Sequence, residues 1–215
     1  MSRTYKDSPN SRNNRPPVAV RGSAVSPSGR PAMSALLLPE LLHTYRAREL
    51  QLARETLSEF VLTQAEQTRL EVGFGWIPRP DAPSKFDILR ATFERAACSG
   101  EPLPVSDEHC DSVIFTGPRV NFALRYWHDV NHVRRNLTFD LTDELELSLW
   151  HLSVLEASGF GRGTLVWQLL HVDLVGQVYV MALSRRFPLD QARFAGDCIH
   201  DGFDQGVLAE IRRQA

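Results

Sequence analysis

Two histidines and two carboxylates occur in a pattern that is typical of metal ligands. His128, Asp129 and His132 lie within five residues of one another, and Glu144 follows after eleven more, so the spacing is His-Asp-x-x-His-x11-Glu. Histidines four positions apart lie on the same face of an α-helix, where both imidazoles can bind one cation. The pattern therefore predicts a metal site formed by His128, Asp129, His132 and Glu144.

This ligand set combines imidazole nitrogen with carboxylate oxygen. A mixed set suits a divalent ion, with zinc as the first expectation and iron(II) or manganese(II) as alternatives, whereas closed structural zinc sites usually contain thiolates. With three protein ligands, one position stays open for a water molecule, whose pKa the ion would lower, or for a bound carboxylate. If Asp129 is not a ligand, it is expected to orient a histidine or to act as a base.

The histidines are predicted to lie on a helix from about residue 119 to residue 135, with Pro118 at its start. At steps of 100° its apolar residues form one stripe and its polar residues share the opposite sector. The stripe consists of Val120, Ala123, Trp127 and Val130, flanked by Phe122 and Val133, and the polar sector consists of Asn121, Arg125, His128, Asp129 and His132. A solvated face that carries two histidines by chance is the simpler interpretation of that sector.

A second helix is predicted from about residue 142 to residue 157, with Asp140 or Thr142 as its N-cap. The expected buried stripe consists of Leu141, Leu145, Leu149 and Leu152, and beside it lies the line of Glu144, Ser148, His151 and Leu155. Because a short connection places consecutive helices side by side, Glu144 can reach the two histidines. Alternatively, Asp143 and Glu144 only interact with the positive end of the helix dipole.

The spacing over residues 128–144 resembles the metal-binding motif of the Coq4 family of ubiquinone-biosynthesis proteins, with an aromatic Trp127 before it and an apolar helix that opens with the glutamate. The resemblance implies an all-helical fold, a divalent metal ion and a role in acting on polyprenylated benzoquinone precursors, or in organising pathway enzymes around them. The family is linked to removal of the carboxylate from the ring and to hydroxylation at the ring carbon that bears it.

The sequence departs from that family directly after the second histidine. The family commonly has a Leu/Thr-Gly pair there, whereas this chain has Val133-Arg134-Arg135-Asn136, which predicts two positive charges near a lipid substrate. The later run of residues 192–203 is only vaguely similar to the family's late helix. The layout of residues 106–132 also resembles uncharacterised proteins carried on bacterial plasmids and phages.

Composition and length indicate one helical domain, residues 34–215, behind a basic tail, residues 1–33. The chain has 215 residues, a net charge of −2 and 43% hydrophobic residues, so it has enough apolar material for a core and no global sign of specific nucleic-acid binding. The tail has six basic residues against one acidic one and almost no large apolar residue, which predicts disorder. It is interpreted as a dispensable segment, an organelle leader or a basic arm for anionic partners.

Nothing in the sequence resembles a secretory signal, and the three cysteines are scattered, so a reducing cytoplasm is expected. Outside the motif, helices are predicted over residues 40–65, 85–97, 165–183, 191–200 and 204–213. Residues 72–85 and 98–104 are predicted loops, and Val113-Ile114-Phe115 is a short strand or an apolar anchor. The helix over 165–183 is long enough to span a membrane, but Asp173 at its centre favours a buried core helix.

The sequence thus predicts an all-α irregular bundle of about seven helices and leaves three functions open. The first is a Coq4-like metalloprotein with a small apolar carboxylate or prenylated substrate. The second is a phosphohydrolase of the HD type, in which His128-Asp129 is joined by an upstream histidine and a downstream aspartate, namely His43 or His109 and Asp173, Asp190 or Asp197. The third is a non-enzymatic accessory protein with a structural metal ion. His171 and Asp173 are further candidates to support the metal ligands.

Overall fold

A computed structural model describes residues 37–110 and 113–213, with side chains from residue 45 onwards. The all-α prediction is confirmed, because seven helices account for most of these residues when Leu165–Ser184 is counted as one. The helices are α1 (Leu37–Val72), α2 (Phe86–Ser99), α3 (Pro118–Arg135), α4 (Leu141–Ala157), α5 (Leu165–His171), α6 (Gln177–Ser184), α7 (Gln191–Asp201) and α8 (Phe203–Arg212). The predicted disordered tail lies outside the described residues.

Two short strands, β1 (Trp76–Arg79) and β2 (Leu103–Ser106), lie where loops were predicted. They pair in parallel, with Trp76 opposite Leu103, and α2 forms the crossover between them. The prediction was wrong because each strand contains a proline, and proline is tolerated in a two-stranded sheet where both strands are edges. The sheet closes one side of the core through the buried Leu103 and Val105.

The segment at residues 113–115 is an apolar anchor and not a strand. All three side chains are buried, and Arg54 of α1 donates to the carbonyl oxygens of Ile114 and Phe115 at 2.8 Å each. A cation that binds successive carbonyl groups satisfies backbone that would otherwise lack partners in the interior. The anchor thereby holds the chain against α1 just before α3 begins.

Helix α3 passes through the centre of the core, and its predicted apolar stripe is buried throughout. Tyr126 and Trp127 are among the largest fully buried side chains. The Tyr126 hydroxyl donates to the carbonyl oxygen of Phe74 at 2.7 Å, and the Trp127 ring meets Phe60 of α1 edge to face. Because Asn121 and His132 are also buried, the polar sector of α3 is not a solvated face.

Helix α4 buries a face that differs in part from the predicted one, since Leu152 is buried as expected and Leu145 is half-buried. Leu141 and Leu149 are 55% and 52% exposed, whereas Leu147, His151 and Leu155 are buried. The five-residue connection from α3 sets this rotation. Asp143 accepts hydrogen bonds from the backbone N–H and the hydroxyl of Thr138, both at 2.7 Å, and Asp140 occupies the N-cap without a side-chain cap bond. The line that begins at Glu144 consequently faces α3.

Helices α5 and α6 form one continuous helix, interrupted by the π-helical turn Val172–Gly176. In the described part of the chain, Leu165–Ser184 is a helix long and apolar enough to cross a membrane by length and composition, and half of it is buried inside the protein. It packs against α4, α7 and α8. Asp190 caps α7 as predicted, since its side chain accepts from the backbone N–H of Arg193 at 2.9 Å.

Candidate metal centre

Three of the predicted ligands converge where α3 meets the start of α4. His128 and His132 lie one turn apart on α3, Glu144 lies in the first turn of α4, and one ligand atom of each lies within 4.8 Å of the others. The two Nε2 atoms are 2.9 Å apart. Glu144 Oε2 lies 3.2 Å from His128 Nε2, and its Oε1 lies 3.5 Å from His132 Nε2. These side chains could hold a metal ion.

The hydrogen bonds of the two imidazoles leave the right nitrogens free for a cation. His132 Nδ1 lies 2.9 Å from the carbonyl oxygen of Leu137, which can only accept, so Nδ1 carries a proton, and in the neutral ring Nε2 then carries the lone pair. His128 Nδ1 lies 3.2 Å from His151 Nε2, and donation in this direction also frees His128 Nε2. Two lone pairs 2.9 Å apart repel unless a proton or a metal ion lies between them.

The distances between the ligand atoms fit common coordination geometries. Tetrahedral zinc with Zn–N bonds of about 2.0–2.1 Å separates its ligand atoms by about 3.3 Å, and cis positions of an octahedral ion separate them by about 3.0 Å. The two Nε2 atoms are 2.9 Å apart, and each lies 3.2 or 3.5 Å from a different oxygen of Glu144, so these contacts fall around both values. Two histidines and one carboxylate on adjacent positions therefore suit zinc, iron(II) or manganese(II) alike.

Electrostatics within the group favour an ionised carboxylate. Burial by itself raises the pKa of Glu144, but hydrogen bonds and Coulomb attraction to His128 and His132 outweigh it and lower this pKa to about 2. Burial lowers the pKa of His132, and the bonds to Glu144 overcome that effect, so its pKa is raised. Because a proton and a metal ion compete for the same imidazole nitrogens, metal binding at this group releases protons.

Asp129, the fourth predicted ligand, lies beside the three converging side chains and is not one of them. It is half-buried on α3, and burial raises its pKa to about 6 against the opposing effect of His128 and His132. The raised pKa fits the alternative in which Asp129 acts as a base or orients a histidine, as its nearness to the imidazoles would allow.

His151 belongs to the site although the motif does not contain it. It is fully buried on α4, two turns after Glu144, and its ring stacks on that of His128 at 5.2 Å. Burial, followed by the nearby His128, holds its pKa well below the ordinary value, so the ring is neutral and can accept from His128 Nδ1. The sequence signal was its place on the line of Glu144 along α4.

Two of the three converging side chains, His128 and Glu144, line an open cavity of about 960 Å³, whereas His132 is fully buried. The lining has apolar side chains, including Leu124, Phe139, Leu174, Val178, Met181 and Phe187, and polar ones, including Asp129, Asp173, Gln177 and Gln191. The side chains of His128 and Glu144 remain 18% and 28% exposed. A site at this position is accessible to small molecules, unlike the closed site expected for a structural metal ion.

The residues that an HD-type site would require are not part of the converging group, although His109 and Asp173 line the same cavity. His109 lies beside Phe187 with ring centroids 5.8 Å apart, and it is not part of the converging group. Asp190 caps α7, Asp197 forms an ion pair with Arg213 at 2.7 Å, and Asp173 bonds to Gln177. His43 lies in the part of α1 for which only the backbone is described.

His171, which was predicted to support the metal ligands, does not contact them. The two arginines that follow His132 do not contact them either. His171 stacks on Trp167 with ring centroids 4.6 Å apart. Arg134 forms an ion pair with Glu71 at 2.5 Å, and the guanidinium of Arg135 lies 4.0 Å from the ring centroid of Trp150. Both arginines line a second, smaller depression. The two positive charges that follow His132 therefore lie outside the large cavity.

Comparison with known proteins gave no match at a significant level to a family model, a curated protein or a solved structure. The resemblance to the Coq4 family therefore stays a prediction from the motif. Fold and site define the chain as a helical protein in which two consecutive helices form a His-His-Glu group beside an open cavity.

Proposed function

We propose that the protein binds a divalent metal ion through His128, His132 and Glu144 and acts on a small, partly apolar molecule in the adjoining cavity. The convergence of three ligand atoms within 4.8 Å carries this proposal. Zinc is the first candidate, and iron(II) and manganese(II) suit the same ligand set.

The chemistry would combine a Lewis acid with neighbouring proton carriers. A divalent ion with three protein ligands polarises a carboxylate or carbonyl oxygen and lowers the pKa of water. His151 holds the ring of His128 in the tautomer that leaves Nε2 free, and the Leu137 carbonyl oxygen does the same for His132. Asp129, with a pKa of about 6, is placed to take up or release a proton close to neutral pH.

The substrate proposed from the resemblance is a quinone precursor or another small apolar carboxylate. A cavity of about 960 Å³ accommodates a substituted ring, and its apolar lining suits a hydrophobic body. The positive charge of the ion would compensate a substrate carboxylate. A role in organising the enzymes of such a pathway is the accompanying proposal, and it requires the same metal site.

Metal analysis of the purified full-length chain tests the proposal. We expect near-stoichiometric zinc, iron or manganese by elemental mass spectrometry, and at least a tenfold lower content in His132→Ala and in Glu144→Ala. His200→Ala is the matched control, because His200 is an exposed histidine outside the converging group that pairs with Asp201 at 2.6 Å. Circular dichroism checks that each variant stays helical. Unchanged metal content in both site variants would refute the proposal.

The open coordination position can be tested separately by replacing the ion with cobalt(II), whose visible spectrum reports its ligands. Acetohydroxamate binds metal ions through two oxygens and fits within the cavity. We expect it to change the cobalt spectrum of the wild-type protein. An unchanged spectrum at saturating acetohydroxamate would indicate a closed site, as in an accessory protein with a structural ion.

A further inference from the structure

Asp173 is a buried carboxyl group that the metal site does not use. It is 7% exposed and lies in the wall of the large cavity. A charged group in such a place is costly unless it is paired and hydrogen-bonded. Gln177 Nε2 donates to its Oδ1 at 2.8 Å, and no described cation forms an ion pair with it. Among the described side chains, only Gln177 forms a hydrogen bond with this carboxyl group, which a ligand in the cavity could also reach.

The backbone at Asp173 is unusual as well. The residue lies in the π-helical turn Val172–Gly176, and single π-helical turns within α-helices are rare and occur frequently at functional sites. The turn is packed closely, since a Cβ atom on Gly176 would lie 3.1 Å from the ring of Phe194. The fold therefore retains both a less favourable helical turn and an incompletely bonded carboxyl group at one point of the cavity wall.

Gln191 provides an independent observation on the same cavity. It is 8% exposed, it lines the cavity at the first residue of α7, and its Oε1 has no hydrogen-bond partner among the described residues. Rotation of the terminal amide exchanges its oxygen and nitrogen, so Gln191 can present an acceptor to the cavity. Gln191 therefore adds to the cavity lining a second nearly buried polar side chain, which a ligand group could satisfy.

The charge of the lining points in the same direction. Among the described lining residues, carboxylates outnumber guanidinium groups by five to two: Asp81, Glu108, Asp129, Glu144 and Asp173 against Arg125 and Arg185. Arg125 is engaged with the backbone, since it donates to the carbonyl oxygens of Ser106 at 2.5 Å and Glu108 at 2.7 Å. Such a lining attracts positive or neutral donor groups and repels anions away from the metal ligands.

We propose that Asp173, which Gln177 supports by a hydrogen bond, forms a binding subsite for an amino or hydroxyl group of the ligand that occupies the cavity. The ligand then has an apolar body between two polar ends. One end meets the His-His-Glu group, and the other donates a hydrogen bond to the Asp173 carboxylate. The inference rests on the proposed function only in treating this cavity as the ligand chamber.

Three probes that share a six-carbon chain and differ in the head group test the subsite. Hexylamine, 1-hexanol and hexanoate are titrated separately into the full-length protein, with binding followed by ¹H–¹⁵N NMR. Prior dialysis against a chelator prevents the hexanoate carboxylate from binding a metal ion. We expect hexylamine to bind at least tenfold more tightly than hexanoate, with 1-hexanol between them. The largest shifts should fall on Leu174, Val178 and Met181, which line the cavity.

Asp173→Asn has nearly the same shape, retains one acceptor oxygen and lacks the charge. We expect it to weaken hexylamine binding about tenfold and to change 1-hexanol binding less than twofold. Asp204→Asn is the control, because Asp204 is an exposed carboxylate on α8. A wild-type preference for 1-hexanol over both other probes would also support a donor subsite, with a neutral donor.

Two results would overturn the inference: hexanoate binding as tightly as the donor probes, or an advantage of hexylamine that survives in Asp173→Asn. If Asp173→Asn does not fold, the order of the probes and the position of the shifts in the wild-type protein still decide. Because these titrations use metal-free protein, their outcome is independent of the metal analysis. Failure of the donor subsite and failure of the metal site can therefore be told apart.

Discussion

Replacing His151 by leucine should affect metal binding and stability in opposite directions. His151 Nε2 lies 3.2 Å from His128 Nδ1, and its own Nδ1 is buried without a hydrogen-bond partner. In the tautomer that frees His128 Nε2 for a metal ion, His128 donates to His151. The remaining proton of His151 then lies on the unpartnered Nδ1, in a ring whose centroid is 4.0 Å from that of Trp127.

The expected changes in metal affinity and in stability follow from the two ring nitrogens of His151. Loss of the acceptor for a metal-bound histidine typically weakens metal binding by about 10- to 100-fold, or about 1.4–2.7 kcal/mol. In the metal-free protein, His151→Leu loses one hydrogen bond worth about 0.5–1.5 kcal/mol and removes a buried unpaired group that costs about 1–3 kcal/mol. The free energy of unfolding should therefore stay the same or rise by about 1 kcal/mol.

Competition with a chromophoric chelator measures the metal affinity, and urea unfolding of the chelator-treated protein measures the stability. His151→Gln is the matched control, because its amide oxygen can accept from His128 and should keep the affinity within a few-fold of wild type. Wild-type metal affinity in His151→Leu would refute the role assigned to His151. A loss of more than about 3 kcal/mol in the metal-free variant would show that the ring contributes mainly to packing.

Two further predictions concern buried carboxylates. Burial raises the pKa of Asp173 to about 7 from its ordinary 3.8, so its contribution to stability becomes less favourable as the pH rises between these values. Asp173→Asn should be nearly neutral near pH 4 and should stabilise the protein by roughly 2–4 kcal/mol at pH 8, and equal effects in urea unfolding at both values would contradict this. Glu210 is fully buried, pairs with Arg186 at 2.8 Å and with Arg213, and accepts from the backbone N–H of Leu189 at 2.9 Å. Glu210→Ala should destabilise by about 3–5 kcal/mol with unchanged metal affinity per folded molecule, whereas a loss below about 1 kcal/mol would show that the ion pairs contribute little.

Local sequence was sufficient for the features that depend on neighbours along the chain. Pro118 at the first turn and the period of the apolar residues predicted α3 to within a residue of its observed bounds. The i,i+4 spacing by itself placed His128 and His132 on one face, because helical geometry requires it. The cap at Asp190 is likewise a property of a few consecutive residues.

Tertiary contacts determine the rotation of α4 about its own axis. The spacing of the apolar residues allows either of two faces of this helix to be buried. One face contains Leu141, Leu145 and Leu149, and the other contains Glu144 and Leu155. Packing against α3, together with the bonds between Thr138 and Asp143, selected the second face. This rotation of α4 brings Glu144 to His128 and His132 and buries His151 against His128.

The strands and the π-helical turn depended on partners that are distant in sequence. Pro78 and Pro104 indicate loops when read locally, yet their segments pair across the intervening α2 because the sheet has only edge strands. The π-helical turn at Asp173 leaves no mark in the hydrophobic period of residues 165–184. The sequence by itself therefore determined the helices and the ligand pair on α3, while tertiary packing completed the site and formed its cavity, since both depend on contacts between elements.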